Sequence, residues 1–382
     1  MLGINSNINS LVAQQNLNGS QSALSQAITR LSSGKRINSA ADDAAGLAIS
    51  TRMTTQINGL NQGVSNANDG VSMIQTASSA LSSLTSSLQR IRQLAVQAST
   101  GTLSTSDQAA LQKEVSAQIS EVNRIASQTT YNGTNILDGS AGNVTFQVGA
   151  NVGQTISLNL SQSMSAAKIG GGLVQTGQTV GTVAVSTDTA GVYTSAASPA
   201  ITAINVLSDG KGGYTFTDQN NQAIGQTVAA AILGSGATAG TGTQGTALAL
   251  QGAATTTAGA GSAAQASAVA QINAINSSPT VSNLNISTVT GANQAMVSID
   301  NALATVNNLQ ASLGAAQNRF TAIATSQQAE STDLSSAQSQ ITDANFAQET
   351  ANLSKAQVLQ QAGISVLAQA NSNPQQVLKL LQ

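Results

Sequence analysis

Histidine, cysteine and tryptophan are absent from this chain of 382 residues. Without histidine there is no side chain that ordinarily titrates near neutral pH and no Ser–His–Asp triad. Without cysteine there is no thiolate nucleophile, and the two absences together remove the common zinc ligands. Composition leaves carboxylate-pair chemistry open, but no catalytic, cofactor-binding or metal-binding motif stands out. We therefore predict that the chain is not an enzyme and holds no cofactor.

Charged and aromatic residues are scarce. Charged residues make up 7% of the chain and the net charge is -2. This composition lacks the basic patch that binds nucleic acid and the polybasic segment that anchors proteins to membranes. No run of 18 apolar residues occurs, so we expect no transmembrane helix. Aromatics are 2% against 41% hydrophobic residues, and a core of Ala, Val, Leu and Ile suits close helix–helix seams.

Two heptad patterns stand at opposite ends of the chain. Apolar residues alternate in steps of three and four from Met53 to Ala95 and again from Ile299 to Ile323, which is a strong coiled-coil signal. The first pattern predicts a helix over 44–99, and a second helix is expected over 105–128. Because stripes of this length must be covered, the simplest arrangement is an antiparallel bundle made from both chain ends.

The middle of the chain, 141–290, is rich in small and polar residues. Alternating apolar and polar residues predict strands at 155–160, 180–185 and 214–217, and the sequence SDGKGG before the last one predicts a turn. Residues 250–267 are interpreted as a flexible or helical linker. The predicted fold is mainly α, with a β-rich domain inserted between the two halves of a helical bundle.

Residues 31–50, LSSGKRINSAADDAAGLAIS, concentrate charges in a chain that has few. The four charged residues are Lys35, Arg36, Asp42 and Asp43. Gly34 suits the left-handed position after a helix, and the two basic residues suit its negative end. The two acids suit the positive first turn of a following helix, which we expect to begin near Ser39. Acids adjacent in sequence do not face each other on a helix, so the stretch is interpreted as a structural joint.

The terminal helices, predicted over 4–31 and 345–370, carry weaker apolar stripes. We expect Asn371–Pro374 to end the last one. Such a helix pair is marginal alone, whereas repeated copies would bury the stripes against one another, and a repeating contact that does not close gives a filament. The pattern leaves a filament subunit and a coiled-coil protein with frayed ends equally open. The candidate contact residues are Ile4, Ile8, Leu11, Leu24, Ile28, Leu31, Leu353, Leu359, Val366 and Leu367.

Several segments resemble the signatures of bacterial flagellin. Near the first end these are AITRLSSGKRINSAADDAAGLAIS (27–50), NANDGVSMIQTA (66–77), LQRIRQLAVQAS (88–99) and YNGTNILDG (131–139). Near the other end they are LGAAQNRF (313–320) and LSKAQVLQQAGISVLAQANSNPQQVLKLLQ (353–382). Together these motifs are highly specific, whereas the middle of the chain matches no pattern that we can name.

The resemblance implies a self-assembling subunit of the extracellular flagellar filament, exported unfolded by the flagellar type III pathway. It assigns 1–43 plus 345–382 to an inner tube, 44–140 plus 291–344 to the helical bundle and 141–290 to an outward-facing domain. It also implies an export chaperone, hook-junction and cap proteins, and Toll-like receptor five of animal hosts as partners. A hook–filament junction protein of the same superfamily is the alternative.

Arg90, Leu94 and Glu114 match positions at which flagellins contact that receptor. Gln93 stands where many members have glutamate, and Gln338 stands where arginine is usual. Each difference replaces a charge with a neutral group. Exposed ion pairs contribute only about 0–1 kcal/mol, so the resemblance implies retained assembly but weaker receptor recognition.

Overall fold

The computed structural model describes residues 7–172, 174, 176–190, 200–233, 248, 261–275 and 278–380. Its contacts define two compact units. Unit 1 consists of Met1–Asn68, Gln147–Thr155 and Thr321–Gln382. Unit 2 consists of Asp69–Phe146 and Ile156–Phe320. Within the described ranges, no helix is both long enough and apolar enough to cross a membrane.

The helices have the following bounds. They are α1 (Ile8–Ser33), α2 (Ala44–Ala98), α3 (Thr105–Gln128), α4 (Gln226–Leu233), α5 (Gly261–Ile275), α6 (Val289–Thr342) and α7 (Phe346–Leu380). The predicted helices at 44–99 and 105–128 are therefore confirmed. Ser104 explains the start of α3, because Asp107 N–H donates to its hydroxyl in a capping box.

The predicted end of the last helix at Asn371–Pro374 is wrong, because α7 continues to Leu380. Proline has no N–H and leaves the carbonyl four residues earlier without its helical donor. Here that carbonyl belongs to Ala370, and it accepts a hydrogen bond of 2.9 Å from Asn7 Nδ2 on α1. A side chain thus replaces the missing backbone donor and compensates for the proline.

Unit 1 contains two antiparallel helix pairings. Helix α1 runs against α7, since Asn7 contacts Ala370 while Arg30 contacts Glu349. The first part of α2 runs against the last part of α6. There Gln338 Nε2 donates to the Ser50 carbonyl at 3.2 Å and Ser331 Oγ donates to Asn61 Oδ1 at 3.0 Å. The loop 148–154 packs so closely on α2 that a Cβ on Gly63 would overlap the Val148 carbonyl oxygen.

Unit 2 contains the heptad core. The apolar heptad residues that are fully buried include Leu81, Leu84, Leu88, Ile91, Ile299, Ala302, Val306 and Leu313. Two contacts fix the antiparallel direction of α2 and α6 in this unit. Gly70 packs on the ring of Phe320, and Arg92 Nε donates to Asp300 Oδ1 at 2.7 Å. The predicted antiparallel bundle is confirmed.

The middle of the chain is β-rich, as predicted. The strands are β1 (Thr130–Tyr131), β2 (Thr134–Asn135), β3 (Gly142–Gln147), β4 (Thr155–Leu160), β5 (Thr179–Thr187), β6 (Ile201–Ser208), β7 (Tyr214–Asp218) and β8 (Ala223–Ile224). β5, β6, β7 and β8 form an antiparallel sheet in that order. Helix α5 packs on it, with Gln265 Nε2 donating to the Ala184 carbonyl at 2.7 Å.

The strands predicted at 155–160, 180–185 and 214–217 are confirmed by β4, β5 and β7. The turn before β7 is also confirmed, because Asp209 Oδ1 accepts from Lys211 N–H at 2.7 Å and from Gly213 N–H at 2.8 Å. Residues 250–260 of the linker predicted at 250–267 lie outside the described residues. Its remainder is helical and belongs to α5.

Candidate assembly surface and joint

Helices α1 and α7 meet through small side chains. Within residues 8–372, for which side-chain burial is described, the buried hydrophobic residues of these two helices are Ala13, Ala27, Ala356 and Ala370. Gly363 continues this seam, since a Cβ at that position would lie 3.2 Å from Leu17 Cδ1. Alanine and glycine let two helices approach closely, but they bury little apolar area. Leu17 lies at the seam against Gly363, whereas many of the larger apolar side chains described in both helices lie outside it.

Most of the predicted contact residues are exposed on the surface of the α1/α7 pair. Five of them are 48% to 71% exposed, namely Ile8, Leu11, Ile28, Leu359 and Val366. Four are partly exposed, namely Leu24, Leu31, Leu353 and Leu367. Ile4 lies outside the described residues. The helix pair thus presents a broad apolar surface to its surroundings.

The same surface includes exposed residues that the sequence analysis missed. These are Val12, Phe346, Val358 and Ile364, each more than half exposed. Val12 and Val358 stand beside stripe residues as the adjacent pairs Leu11–Val12 and Val358–Leu359. Two apolar residues that are adjacent on a helix point in different directions and cannot both face one narrow seam. Such adjacent pairs therefore indicate a wider apolar face.

The predicted joint is a short backbone bridge within unit 1. Lys35 pairs antiparallel with Asp343. Ala344 N–H donates to the Gly34 carbonyl at 2.9 Å, and Arg36 N–H donates to the Thr342 carbonyl at 2.6 Å. Gly34 has φ 69° at the end of α1, which is the left-handed conformation expected there. The joint therefore holds the end of α1 beside the start of α7.

The predicted start of the second helix near Ser39 is wrong, because α2 begins at Ala44. Asp42 Oδ2 instead accepts from the N–H groups of Asn38 at 3.2 Å and Ser39 at 3.0 Å, which closes a separate turn. These backbone hydrogen bonds, from Asn38 first and then from Ser39, lower the pKa of Asp42. Asp43 is the residue that caps α2, since its Oδ1 accepts from Gly46 N–H at 2.9 Å.

The residues assigned to receptor contact lie in unit 2 and are not equally accessible. Arg90 binds Glu114 Oε1 through Nε at 2.9 Å and Nη2 at 2.6 Å. Its Nη1 lies 3.5 Å from Gln93 Oε1. Leu94 is only 1% exposed, so its side chain is not accessible at this surface of the single chain. Arg90, Gln93 and Glu114 form a connected polar cluster.

Models of the flagellin family match most of the chain. The bacterial flagellin N-terminal helical region matches residues 4–142, and the C-terminal helical region matches residues 296–381. The flagellin D2 domain matches residues 172–277. This last match corrects the sequence analysis, which assigned the middle of the chain to no pattern.

Relatives align with the chain from end to end. Flagellin B of Vibrio cholerae serotype O1 is 37% identical, covering 100% of this chain and 99% of its own. B-type flagellin of Pseudomonas aeruginosa is also 37% identical, with 100% of both chains covered. Flagellin of Serratia marcescens is 41% identical over 99% of each chain. The alignments thus extend through all three parts of the chain.

Among solved structures, FliC from Burkholderia pseudomallei is 68% identical, with a TM-score of 0.61, and it covers 66% of this chain and 100% of its own. FlgL from Xanthomonas campestris is 16% identical, with a TM-score of 0.39, and it covers 76% of this chain and 99% of its own. The matched helical ends, the matched middle and the full-length relatives show that this chain belongs to the bacterial flagellin family, whose members are the subunits of the flagellar filament.

Proposed function

We propose that this chain polymerises through the apolar surface of the α1/α7 pair. The product is an extracellular flagellar filament used for swimming. The observation that carries the proposal is the distribution of apolar residues in that pair. The buried hydrophobic residues described in its seam are alanines, while many of the larger leucine, isoleucine and valine side chains are exposed outside it. Large exposed apolar surfaces of this kind mark interaction sites in soluble proteins.

The exposed side chains supply enough free energy for association. Fully burying one Val, Leu or Ile side chain contributes about 1.5–3 kcal/mol. The stripe on α1 includes Ile8, Leu11 and Ile28, and the stripe on α7 includes Val358, Ile364 and Val366. Partial burial of these six against neighbouring copies favours a stable lattice. We expect the stripe on α1 of one copy to contact the stripe on α7 of a neighbouring copy. A contact between two unlike surfaces repeats from copy to copy, and it gives a filament where it does not close into a ring.

The proposed domain roles follow the family. Residues 1–43 and 345–382 form the inner tube, residues 44–140 and 291–344 form the bundle, and residues 141–290 form the outward-facing domain. The role is structural and involves no reaction. In support, the segments assigned to the inner tube contain the apolar surface, whereas the apolar heptad residues of the bundle are largely buried within unit 2.

The proposed partners are those of an exported filament subunit. The chain leaves the cell unfolded by the flagellar type III pathway. A chaperone covers the apolar face of α7 before export, junction proteins contact the filament base and a cap protein contacts its tip. The cluster of Arg90, Gln93 and Glu114 is the proposed contact with Toll-like receptor five.

Seeded polymerisation tests the proposed function. Purified protein is heated to monomer, sheared seeds are added and the products are imaged by electron microscopy. A truncated chain lacking residues 345–382, and therefore α7, is the comparison. The full chain is expected to extend into long filaments and the truncated chain is expected to form none. Failure of the full chain to extend seeds under any condition would support the junction-protein alternative.

A further inference from the structure

A cavity of about 320 Å³ lies within unit 2, where helix α6 meets the domain that contains β5 and α5. Four of the residues that line it belong to α6, namely Asn293, Met296, Val297 and Asp300. The others lie around the start of β5 and at the end of α5, namely Gln178, Thr179, Val180 and Ile275. Pockets for small molecules occur preferentially where domains meet. One water takes up about 30 Å³ of the liquid, so this cavity has room for a small organic molecule.

The α6 side of the cavity has polar groups at its two ends and apolar groups between them. Its four residues follow the spacing i, i+3, i+4 and i+7, which places them on one face of the helix. Asn293 and Asp300 are at the two ends, about 10 Å apart along the helix axis at about 1.5 Å per residue. Met296 and Val297 lie between them, and Val297 packs against the apolar core of the sheet. This pattern suits a ligand with a polar head and an apolar body.

Asp300 alone carries a formal charge among the residues that line the cavity. Its Oδ1 accepts from Arg92 Nε at 2.7 Å and its Oδ2 accepts from Arg92 Nη2 at 3.3 Å. Arg92 does not line the cavity, so the negative partner of this ion pair borders it while the positive partner does not. A carboxylate has about four lone-pair sites. The two bonds from Arg92 therefore leave Asp300 able to accept from a further donor.

Gln178 adds an acceptor that lacks a donor. Its Oε1 is buried and receives no hydrogen bond from the described part of the chain. A buried acceptor without a partner costs free energy, and a bound group is one explanation for its presence. The terminal amide of glutamine rotates over a broad range of χ3, so this oxygen can turn toward a donor in the cavity. A ligand that donates hydrogen bonds would relieve this cost.

We propose that this cavity binds a small organic cation that consists of an ammonium group on a short alkyl chain. The ammonium group donates to Asp300, because hydrogen bonds between charged partners are stronger than neutral ones. The alkyl chain packs against Met296 and Val297. A neutral polyol fits less well, since it lacks the charge and would place hydroxyl groups against apolar side chains. The site lies in unit 2, away from the α1/α7 surface, and its existence does not depend on the proposed function.

Methyl NMR of the full-length chain tests the site. The chain has five methionines, and Met296 is the one that lines the cavity. With ¹³C in the methionine methyl groups, titration with n-butylammonium chloride is expected to shift the Met296 signal to saturation, with a Kd in the millimolar range. Met73 and Met164, which are buried outside the cavity, provide internal reference signals. The variant Met296→Leu assigns the signal.

Two further titrations test the chemical class of the ligand. n-Butanol has the same alkyl chain without the charge, and it is expected to bind at least about tenfold more weakly than n-butylammonium. Sodium chloride at equal concentrations controls for ionic strength. Equal affinity for the alcohol and the ammonium compound would overturn the assignment to a cation. The absence of a saturable Met296 shift with n-butylammonium would show that the cavity takes up water only, which would also overturn the proposal.

Substitutions at the two partners of the ion pair are expected to act in opposite directions. Asp300→Asn removes the charge that binds the ammonium group and is expected to raise the Kd about tenfold. Asp69→Asn neutralises an exposed carboxylate elsewhere in unit 2 and, as the matched control, leaves the Kd unchanged. Arg92→Gln removes the competing cation and is expected to lower the Kd about threefold. Weaker binding in the Arg92→Gln chain, or an unchanged Kd in the Asp300→Asn chain, would contradict the site.

Discussion

At the scale of single residues, side-chain amides connect elements that are distant in sequence by hydrogen bonds to backbone and hydroxyl groups. Gln338 Nε2 donates to the Ser50 carbonyl and to Thr54 Oγ1. Gln112 connects α3 to the segment that precedes α6. Its Nε2 donates to the Leu284 carbonyl and its Oε1 accepts from Ile286 N–H. The sequence analysis identified Gln338 only as a lost charge. Its partner could not be predicted, because an amide can donate or accept at many backbone positions.

Gly70 provides a test of packing in unit 2. An added Cβ would lie 2.7 Å from Cε1 of Phe320. That buried ring packs edge-on against Phe146 with 5.3 Å between centroids, so it has little freedom to move. Gly70→Ala is expected to lower the free energy of unfolding by about 1–3 kcal/mol, measured by denaturant titration.

Gly314 is the matched control for this substitution. It lies in helix α6, and nothing lies within 4 Å of an added Cβ. Gly314→Ala is expected to raise the free energy of unfolding by about 0.5–1 kcal/mol, because alanine restricts the unfolded chain and favours helix. Equal effects of the two substitutions would contradict the packing described around Phe320.

Asp42 provides a test of the turn in the joint. Its pKa is lowered chiefly by hydrogen bonds from the backbone N–H groups of Asn38 and Ser39. A lowered pKa in the folded state means that the turn is stabilised above the unfolded-state pKa, and that this stabilisation is lost as the pH falls through the folded-state pKa. Carboxyl chemical shifts measured by NMR are expected to give Asp42 a pKa below its ordinary value. An ordinary or raised pKa would contradict the turn.

Gln93 provides a test of the proposed receptor contact. Gln93→Glu adds a carboxylate beside Arg90, whose guanidinium already binds Glu114. The variant is expected to activate Toll-like receptor five several-fold more strongly than the parent, because it restores the carboxylate that many members of the family have at this position. Reporter-cell assays of matched protein preparations measure this difference. Equal potency would refute the contribution of this position.

At the scale of elements, periodicity predicted the interiors of the long helices and capping decided their ends. The heptad steps predicted α2 and the core of α6, because a repeated apolar spacing is compatible with one regular structure. The start of α2 was misplaced because Ser39, Asp42 and Asp43 are all good capping residues. The end of α7 was misplaced because the contact between Asn7 and Ala370, which compensates for Pro374, joins opposite ends of the chain.

The cap of α2 is testable by substitution. Asp43 Oδ1 accepts from Gly46 N–H, so Asp43→Ala is expected to destabilise the first turn by about 1 kcal/mol, whereas Asp43→Ser keeps an acceptor and is expected to cost much less. Amide hydrogen exchange at Gly46 and Leu47 measures the effect locally. Faster exchange in the alanine variant alone is the expected result, and equal exchange in both variants would show that another residue caps the helix.

At the scale of the whole molecule, the sequence predicted apolar stripes on the terminal helices but not what covers them. A stripe that is buried within a chain and a stripe that is buried between chains have the same spacing. The distinction comes from the seam, where Ala13, Ala27, Ala356 and Ala370 occupy buried positions while many of the larger apolar residues remain exposed. Which helix faces meet is a tertiary property, and no local pattern contains it.

The most direct measurement is the critical concentration for seeded growth of chains altered on the apolar surface. Leu11→Ser and Val366→Ser each remove an exposed apolar side chain, so the folding of unit 2 should be unchanged. Gln361→Ser, at an exposed polar position of the same helix as Val366, is the control. Each apolar substitution is expected to raise the critical concentration about tenfold or more, with the control near the parent. Unchanged growth of both apolar variants would contradict assembly through the α1/α7 surface.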